Sequence, residues 1–215
     1  MNKESLLAAA EAYARAELAR DSSGHDWWHI ARVRALARTI ALHEGADVFI
    51  CEQAALLHDL ADAKIAGDEA TGLARVRGWL AEQGADAATI ARTMEIIATM
   101  SFAGGAKPAP ATLEGRVVQD ADRLDALGAI GIARAFAYGG SRGRLMYDPD
   151  VPPREYASAA AYHASAAPTI NHFYEKLLLL HERMNTAYAR QLAEARHRYM
   201  QAFLDEFFAE WAGQR

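Results

Sequence analysis

The stretch Ala54-Ala55-Leu56-Leu57-His58-Asp59 sets a histidine and an aspartate side by side directly after an apolar run. Any fold that buries the run must also deal with the carboxylate, because burying one unpaired is strongly unfavourable. The carboxylate is therefore paired, neutral or bound to a metal, unless the run ends at a helix terminus where both side chains face water. The remainder of the chain can be read as the scaffold that brings further ligands to this point.

Apolar residues make up 52% of 215, and alanine is very frequent while proline is sparse. That balance suits a folded, mostly helical protein, and the length supports one substantial core without a second domain. The expectation is an all-α single domain over residues 1–215. A formal net charge of −5 argues against a nucleic-acid polymer as partner, yet leaves room for a small phosphorylated ligand held by a few Arg or Lys side chains. Cys51 is the only cysteine; an intrachain disulfide and a cysteine-based zinc site are excluded, and a buried small apolar role is expected. The opening segment carries Glu4, Glu11 and Glu17 and lacks the uninterrupted apolar region of a signal peptide. No stretch approaches the ~18 apolar residues of a membrane span, so a cytoplasmic location without membrane contact is expected.

Residues 3–20 read as an amphipathic helix closed by Asp21-Ser22-Ser23-Gly24. His25-Asp26-Trp27-Trp28-His29 then leads into a helix reaching about His43, with Gly45 as its stop signal. His29, Val33, Leu36 and Ile40 repeat at helical spacing, which aims His29 inward; His25, near the helix start, is exposed or a partner to that site. A third helix begins near Asp47 and carries His58-Asp59, with the small Ala54 and Ala55 one turn earlier leaving space beside the polar pair. Adjacent helical residues point about 100° apart, so the two can share a metal only if it sits close against the helix. Gly67 marks a turn, and helices follow at about 68–83 and 86–100.

Ser101-Phe102-Ala103-Gly104-Gly105 offers a hydroxyl and close backbone approach, as a phosphate-contacting loop or an ordinary connector, and lacks the P-loop pattern. Thr112 to about Tyr138 reads as one or two helices with Asp120, Asp122 and Asp125 set among Val117, Val118, Leu124 and Leu127. The helical wheel leaves both Asp120 and Asp122 open as inward acids, although the small Ala126 and Ala129 beside Asp122 suit a ligand facing a cavity. From Gly139-Gly140-Ser141-Arg142 to Pro153 runs the longest loop signal; its basic residues can close over an anion or simply keep a loop soluble. From about Arg154 the chain reads as helical again. One helix contains Phe173 to Leu180, and a last one runs from Thr186 to Trp211. Its Phe203, Phe207, Phe208 and Trp211 suit core or oligomer contacts, and a homodimer is the expectation from these apolar C-terminal helices.

A histidine on one helix, an adjacent His-Asp on a second and a distant aspartate on a later one resemble the signature of the HD superfamily of metal-dependent phosphohydrolases. The matching positions are His29, His58, Asp59 and, from Ala121-Asp122-Arg123-Leu124-Asp125-Ala126, Asp122, with Asp120 as competitor. The resemblance covers about residues 20–140, with the helices of about 154–212 packed on that core. His-Asp-Trp-Trp-His and Phe-Tyr-Glu-Lys-Leu-Leu are further similar to a bacterial subgroup of small HD hydrolases.

The resemblance implies an HD-type helical bundle holding one divalent metal ion in a mixed nitrogen and oxygen site, with Mn, Mg, Fe, Co, Ni and Zn all compatible. Such an ion lowers the pKa of bound water and polarises a phosphoryl oxygen. The implied activity is cleavage of a phosphate ester or anhydride of a small metabolite, most readily a nucleotide, by pyrophosphate or monophosphate release. By the same resemblance Asp62 is the general acid/base carboxylate. Lys64 and Arg123 are expected to neutralise phosphate charge or to serve as salt-bridge partners, and Ser101, Arg142 and Lys176 are the expected substrate contacts. No second histidine pair occurs near Met100-Ser101-Phe102, where two-metal relatives place further ligands; that departure argues for a single metal and against cyclic-dinucleotide hydrolysis. The rival readings are a catalytically silent nucleotide or alarmone sensor, and an iron oxygenase, for which the second set of ligands is missing.

Overall fold

A computed structural model describes residues 2–18, 26–61, 68–100, 109–156 and 165–214. Among them every regular element is helical: α1 Lys3–Glu17, α2 Trp27–Glu44, α3 Val48–Leu57, α4 Glu69–Glu82, α5 Ala87–Met100, α6 Leu113–Asp125, α7 Gly128–Ser141, α8 Thr169–Glu175 and α9 Ala187–Trp211. The all-α expectation holds. Chain contacts group into two compact units, residues 1–122 and 123–215.

The first unit is built round α3. All of Phe49 to Leu57 is buried, and so is the 3-10 turn His58–Ala61 that continues it. Helices α1, α2 and α5 pack against α3, and α4 packs against the turn. Leu56, Leu57 and Leu60 meet Trp27, Ile30, Val76, Leu80, Met94 and Ile97 in one apolar cluster. Each such leucine contributes roughly 1.5–3 kcal/mol on burial, which offsets the cost of carrying His58 and Asp59 inward. One turn before Leu56 the buried Glu52 accepts hydrogen bonds from Arg34 and Arg38, both at 2.9 Å, and Arg34 also reaches Glu11 at 2.7 Å. That arrangement locks α1 and α2 onto α3.

Cys51 is buried as expected. Burial above all, then the neighbouring Glu114 and Asp47 carboxylates, push its thiol up to about 12 from an ordinary 9.0. The folded value exceeds the unfolded one, so this group's stabilising effect is complete below pH 9 and is lost as the pH climbs toward 12. A disulfide-exchange reagent at pH 8 is expected to leave the native thiol untouched and to titrate one thiol in denaturant; rapid native reaction would show that α3 opens.

Helix ends follow local chemistry. Asp26 caps α2, its carboxylate accepting from the His29 N–H at 2.9 Å, and Gly45 closes the same helix at φ 72°, a conformation that costs glycine little. The chain leaves helix after Asp125 and Gly128 opens α7 at φ 72°, so the Thr112–Tyr138 stretch is two helices.

The second unit holds the end of α6 with α7, α8 and α9. Phe136 of α7, Phe173 of α8 and Phe203 of α9 form an aromatic triangle with centroids 5.9–6.0 Å apart. Tyr147 adds edge contacts to Phe208 and Trp211, so these aromatics are packing residues. The buried Asp125 pairs with Arg134 at 2.7 Å.

Four expectations are corrected. His58-Asp59 ride on a 3-10 turn instead of α-helix. The Gly139-Gly140-Ser141 run continues α7 instead of opening a loop: a Cβ at Gly139 would lie 2.1 Å from the Thr169 Oγ1, so this glycine is a close-contact residue. Arg154 itself does not start a helix: 154–156 and 165–168 are irregular, and 157–164 lie outside the described residues. Finally, Phe173 to Leu180 is not one helix; α8 ends at Glu175 and 3-10 turns follow at Leu177–Leu179 and His181–Arg183. The closing helix, the stop at Gly45 and the helices of 69–82 and 87–100 lie where the pattern places them, within two residues. The signals at Asp21–Gly24 and Gly67 lie outside the described residues.

Candidate metal centre

Three first-unit elements bring their polar side chains to one point. His29 sits in the first turn of α2, oriented by the Asp26 cap, and its side chain is fully buried. His58 and Asp59 come from the 3-10 turn after α3, and Asp122 from α6. His29 Nε2 lies 3.5 Å from Asp59 Oδ2 and 3.4 Å from Asp122 Oδ1, and His58 Nε2 lies 3.2 Å from Asp59 Oδ1. The two imidazole rings meet edge to face, with centroids 5.6 Å apart. One ligand atom from each of His29, His58 and Asp59 lies within 4.8 Å of the others. Asp122 is outside that mutual set, reaching His29 from the open side with its side chain 39% exposed.

The donors suit a divalent ion. Donors bonded at about 2.1 Å to one ion lie roughly 3.0–3.4 Å apart when adjacent, close to the separations seen. His58 Nδ1 donates to the Ala55 carbonyl at 2.8 Å, which turns Nε2 toward the carboxylates, the orientation that metal-bound histidines show. The surroundings are also cation-seeking. Burial opposes charge on His58, but the Asp59 carboxylate, with help from Asp122 and the Ala55 carbonyl, outweighs it and raises the imidazole to about 9. Two imidazoles and carboxylates gathered here fit a mixed nitrogen and oxygen metal site.

The second aspartate candidate behaves differently. Asp120 is fully buried, on the face of α6 that also carries the buried Val117 and Leu124, and the ion-pair distance to His29 belongs to Asp122.

Two features that sequence pattern did not single out support the turn. Arg75 of α4 donates to the Leu60 carbonyl at 2.9 Å while reaching Glu17 at 3.3 Å. Gly72, one turn before Val76 on the same helix, lies against Ala61, where an added Cβ would stand 2.6 Å from the carbonyl oxygen. The only signal for Gly72 is a glycine inside a helical run, which by itself reads as a loss of helix propensity. Given the Ala61 contact, Gly72→Ala is expected to destabilise the fold by about 1–3 kcal/mol despite alanine's better helix propensity, and to weaken metal binding because the displaced backbone carries His58 and Asp59. Denaturant titration alongside metal titration checks this; a variant as stable as the parent would show that the turn yields freely.

The other predicted site residues do not belong to the described part of this unit. Asp62, Lys64, Ser101 and the His25 signal lie outside the described residues. In the second unit, the Arg123 guanidinium donates to the Arg183 carbonyl. Arg142 is exposed, its guanidinium 5.4 Å from the centre of the Tyr138 ring, and Lys176 caps α8, its N–H on the His172 carbonyl. Among the described residues no helix is long and apolar enough to cross a membrane.

Comparison with known proteins adds a family context. The family model for the HD domain matches residues 27–127. The uncharacterized protein YpgQ of Bacillus subtilis is 43% identical over 189 residues, 87% of this chain and 84% of that protein. Among solved structures, a Lactobacillus plantarum protein superposes with a TM-score of 0.86 at 43% identity, over 98% of both chains. An HD-superfamily hydrolase of Bacillus thuringiensis does so with 0.79 at 46% identity, over 98% of this chain and 99% of its own. YpgQ in complex with ADP gives 0.78 at 36% identity, over 98% of this chain and 97% of its own.

Proposed function

The chain belongs to the HD-domain family, and from that premise we propose that it is a metal-dependent phosphohydrolase acting on a nucleotide. The observation that carries the reading is the meeting of His29, His58 and Asp59, buried and mutually within 4.8 Å, with Asp122 at the exposed side. The ADP complex of the relative YpgQ supports a nucleotide as the ligand class.

In this reading His29, His58, Asp59 and Asp122 hold one divalent ion. When bound, the ion supplies Lewis acidity, acidifying water and neutralising phosphoryl charge. The chain does the rest. The Ala55 carbonyl keeps the His58 proton on Nδ1. The apolar cluster behind the turn excludes water from the buried side, and the exposure of Asp122 leaves that side for the phosphate to approach. Asp62, four positions after His58 in the sequence, is proposed to take or return the reaction proton. Lys64, Arg123, Ser101, Arg142 and Lys176 are proposed to meet phosphate charge. Positioning and charge neutralisation supply most of the acceleration for such a reaction.

The test is turnover of a panel of nucleoside mono-, di- and triphosphates by the full chain with Mn²⁺, reading phosphate and pyrophosphate separately. Turnover above that of Asp59→Asn on at least one nucleotide is expected. Nucleotide binding without turnover on the whole panel would replace the enzyme with a sensor.

A further inference from the structure

The 3-10 turn His58–Ala61 is too short to satisfy its own last carbonyls, since a helix end leaves such groups without an internal partner. At Leu60, which is fully buried, a partner comes from another helix. Arg75 of α4 donates from Nη2 to the Leu60 carbonyl at 2.9 Å and from Nη1 to the Glu17 carboxylate at 3.3 Å. Glu17 is the last residue of α1. The same helix is held on α4 by Tyr13 and Trp79, whose rings stack 4.9 Å apart with planes inclined by 8°. A guanidinium is a rigid planar fork, so its two bonds set the end of the turn in register with both helices.

We propose that Arg75 is a positioning residue for the metal centre: through the Leu60 carbonyl it sets the spacing of the His58 and Asp59 side chains, and with it the affinity for a divalent cation. This role rests on the metal centre proposed above. Leu60 directly follows Asp59, and the donor atoms of the centre stand 3.2–3.5 Å apart, so a small shift of the turn changes which of them can share one ion. Gly72 lies one turn before Arg75 on the same face of α4. Its contact with Ala61 limits how near the turn can come, and the Arg75 bond limits how far it can withdraw. Charge acts in the other direction. A fixed cation in this unit opposes the binding of a metal ion, so loss of the Arg75 charge alone would strengthen binding. Weaker binding without Arg75 therefore reports geometry.

The test is Co²⁺ titration of the full chain, followed by visible absorption, which reads coordination geometry as well as affinity. Asp59→Asn supplies the background from Co²⁺ bound elsewhere. Arg75→Ala, with unchanged circular dichroism, is expected to bind Co²⁺ about tenfold more weakly or worse, as loss of groups behind metal ligands does, and with an altered absorption band. Arg38→Lys, which disturbs the ion pair with Glu52, is expected to keep the parent's affinity and band whatever it does to stability. If folded Arg75→Ala binds Co²⁺ within about twofold of the parent and with the parent's band, Arg75 only stabilises the fold and the proposal fails. Should Arg75→Ala unfold, Arg75→Lys, which keeps the charge and loses the fork, decides by the same criteria. A parent chain that binds no more Co²⁺ than Asp59→Asn would instead remove the metal centre itself, and this role with it.

Discussion

Replacing His58 by alanine, or Asp59 by asparagine, is expected to lower nucleotide turnover with Mn²⁺ by more than about 100-fold and to strip the metal on dialysis. The magnitude follows from position. Groups that merely orient a metal ligand typically change affinity or activity by ~10–100-fold when removed, and these two side chains are themselves the proposed donors. Asp59→Asn is the cleaner variant. It keeps shape and volume, removes the charge that faces both His29 and His58, and leaves the surrounding leucines in place. Metal content after dialysis, turnover and helical content by circular dichroism together decide. Turnover within about tenfold of the parent in a folded, metal-free variant would remove the metal from the proposed reaction.

The second large contrast separates two aspartates of one helix. Asp122→Asn is expected to lose metal retention and turnover while the melting temperature stays close to the parent's, because its side chain is 39% exposed and faces His29 at 3.4 Å. Asp120→Asn is expected to do the reverse. That carboxylate is fully buried, and disturbing a buried polar group costs about 1–3 kcal/mol. For a chain of this length each kcal/mol corresponds to roughly 2–4 °C in Tm, so the loss is visible in a thermal melt while measurable turnover remains. Exchanged outcomes, with Asp120→Asn metal-free and Asp122→Asn active, would reassign the fourth donor.

Much of the architecture was legible from local chemistry. Helical spacing turned His29 inward with Val33 and Ile40, and both flank it in the buried set. The αL preference of glycine ended α2 at Gly45. The apolar run from Ala54 to Leu57 marked His58 and Asp59 as polar groups beside buried positions, and both are buried with it. Residue type also set the chemistry of the centre, since imidazole and carboxylate are what an oxygen-and-nitrogen metal site requires.

Other features belong to the tertiary structure. The wheel of α6 admits both Asp120 and Asp122, and only the approach of α2 brings one of them to His29. A glycine in a helical run reads as weakness. At Gly72 and Gly139 it is instead the position where a neighbouring backbone or side chain comes too close for a Cβ. The 3-10 winding at His58–Ala61 has no local signature; the Arg75 bond to the Leu60 carbonyl and the contact of Gly72 with Ala61 accompany it from α4. Sequence by itself determined which groups are costly to bury and on which face of a helix each one starts. Which buried group meets which partner was decided by packing, because periodicity records direction along one helix axis and carries no distance to the next helix.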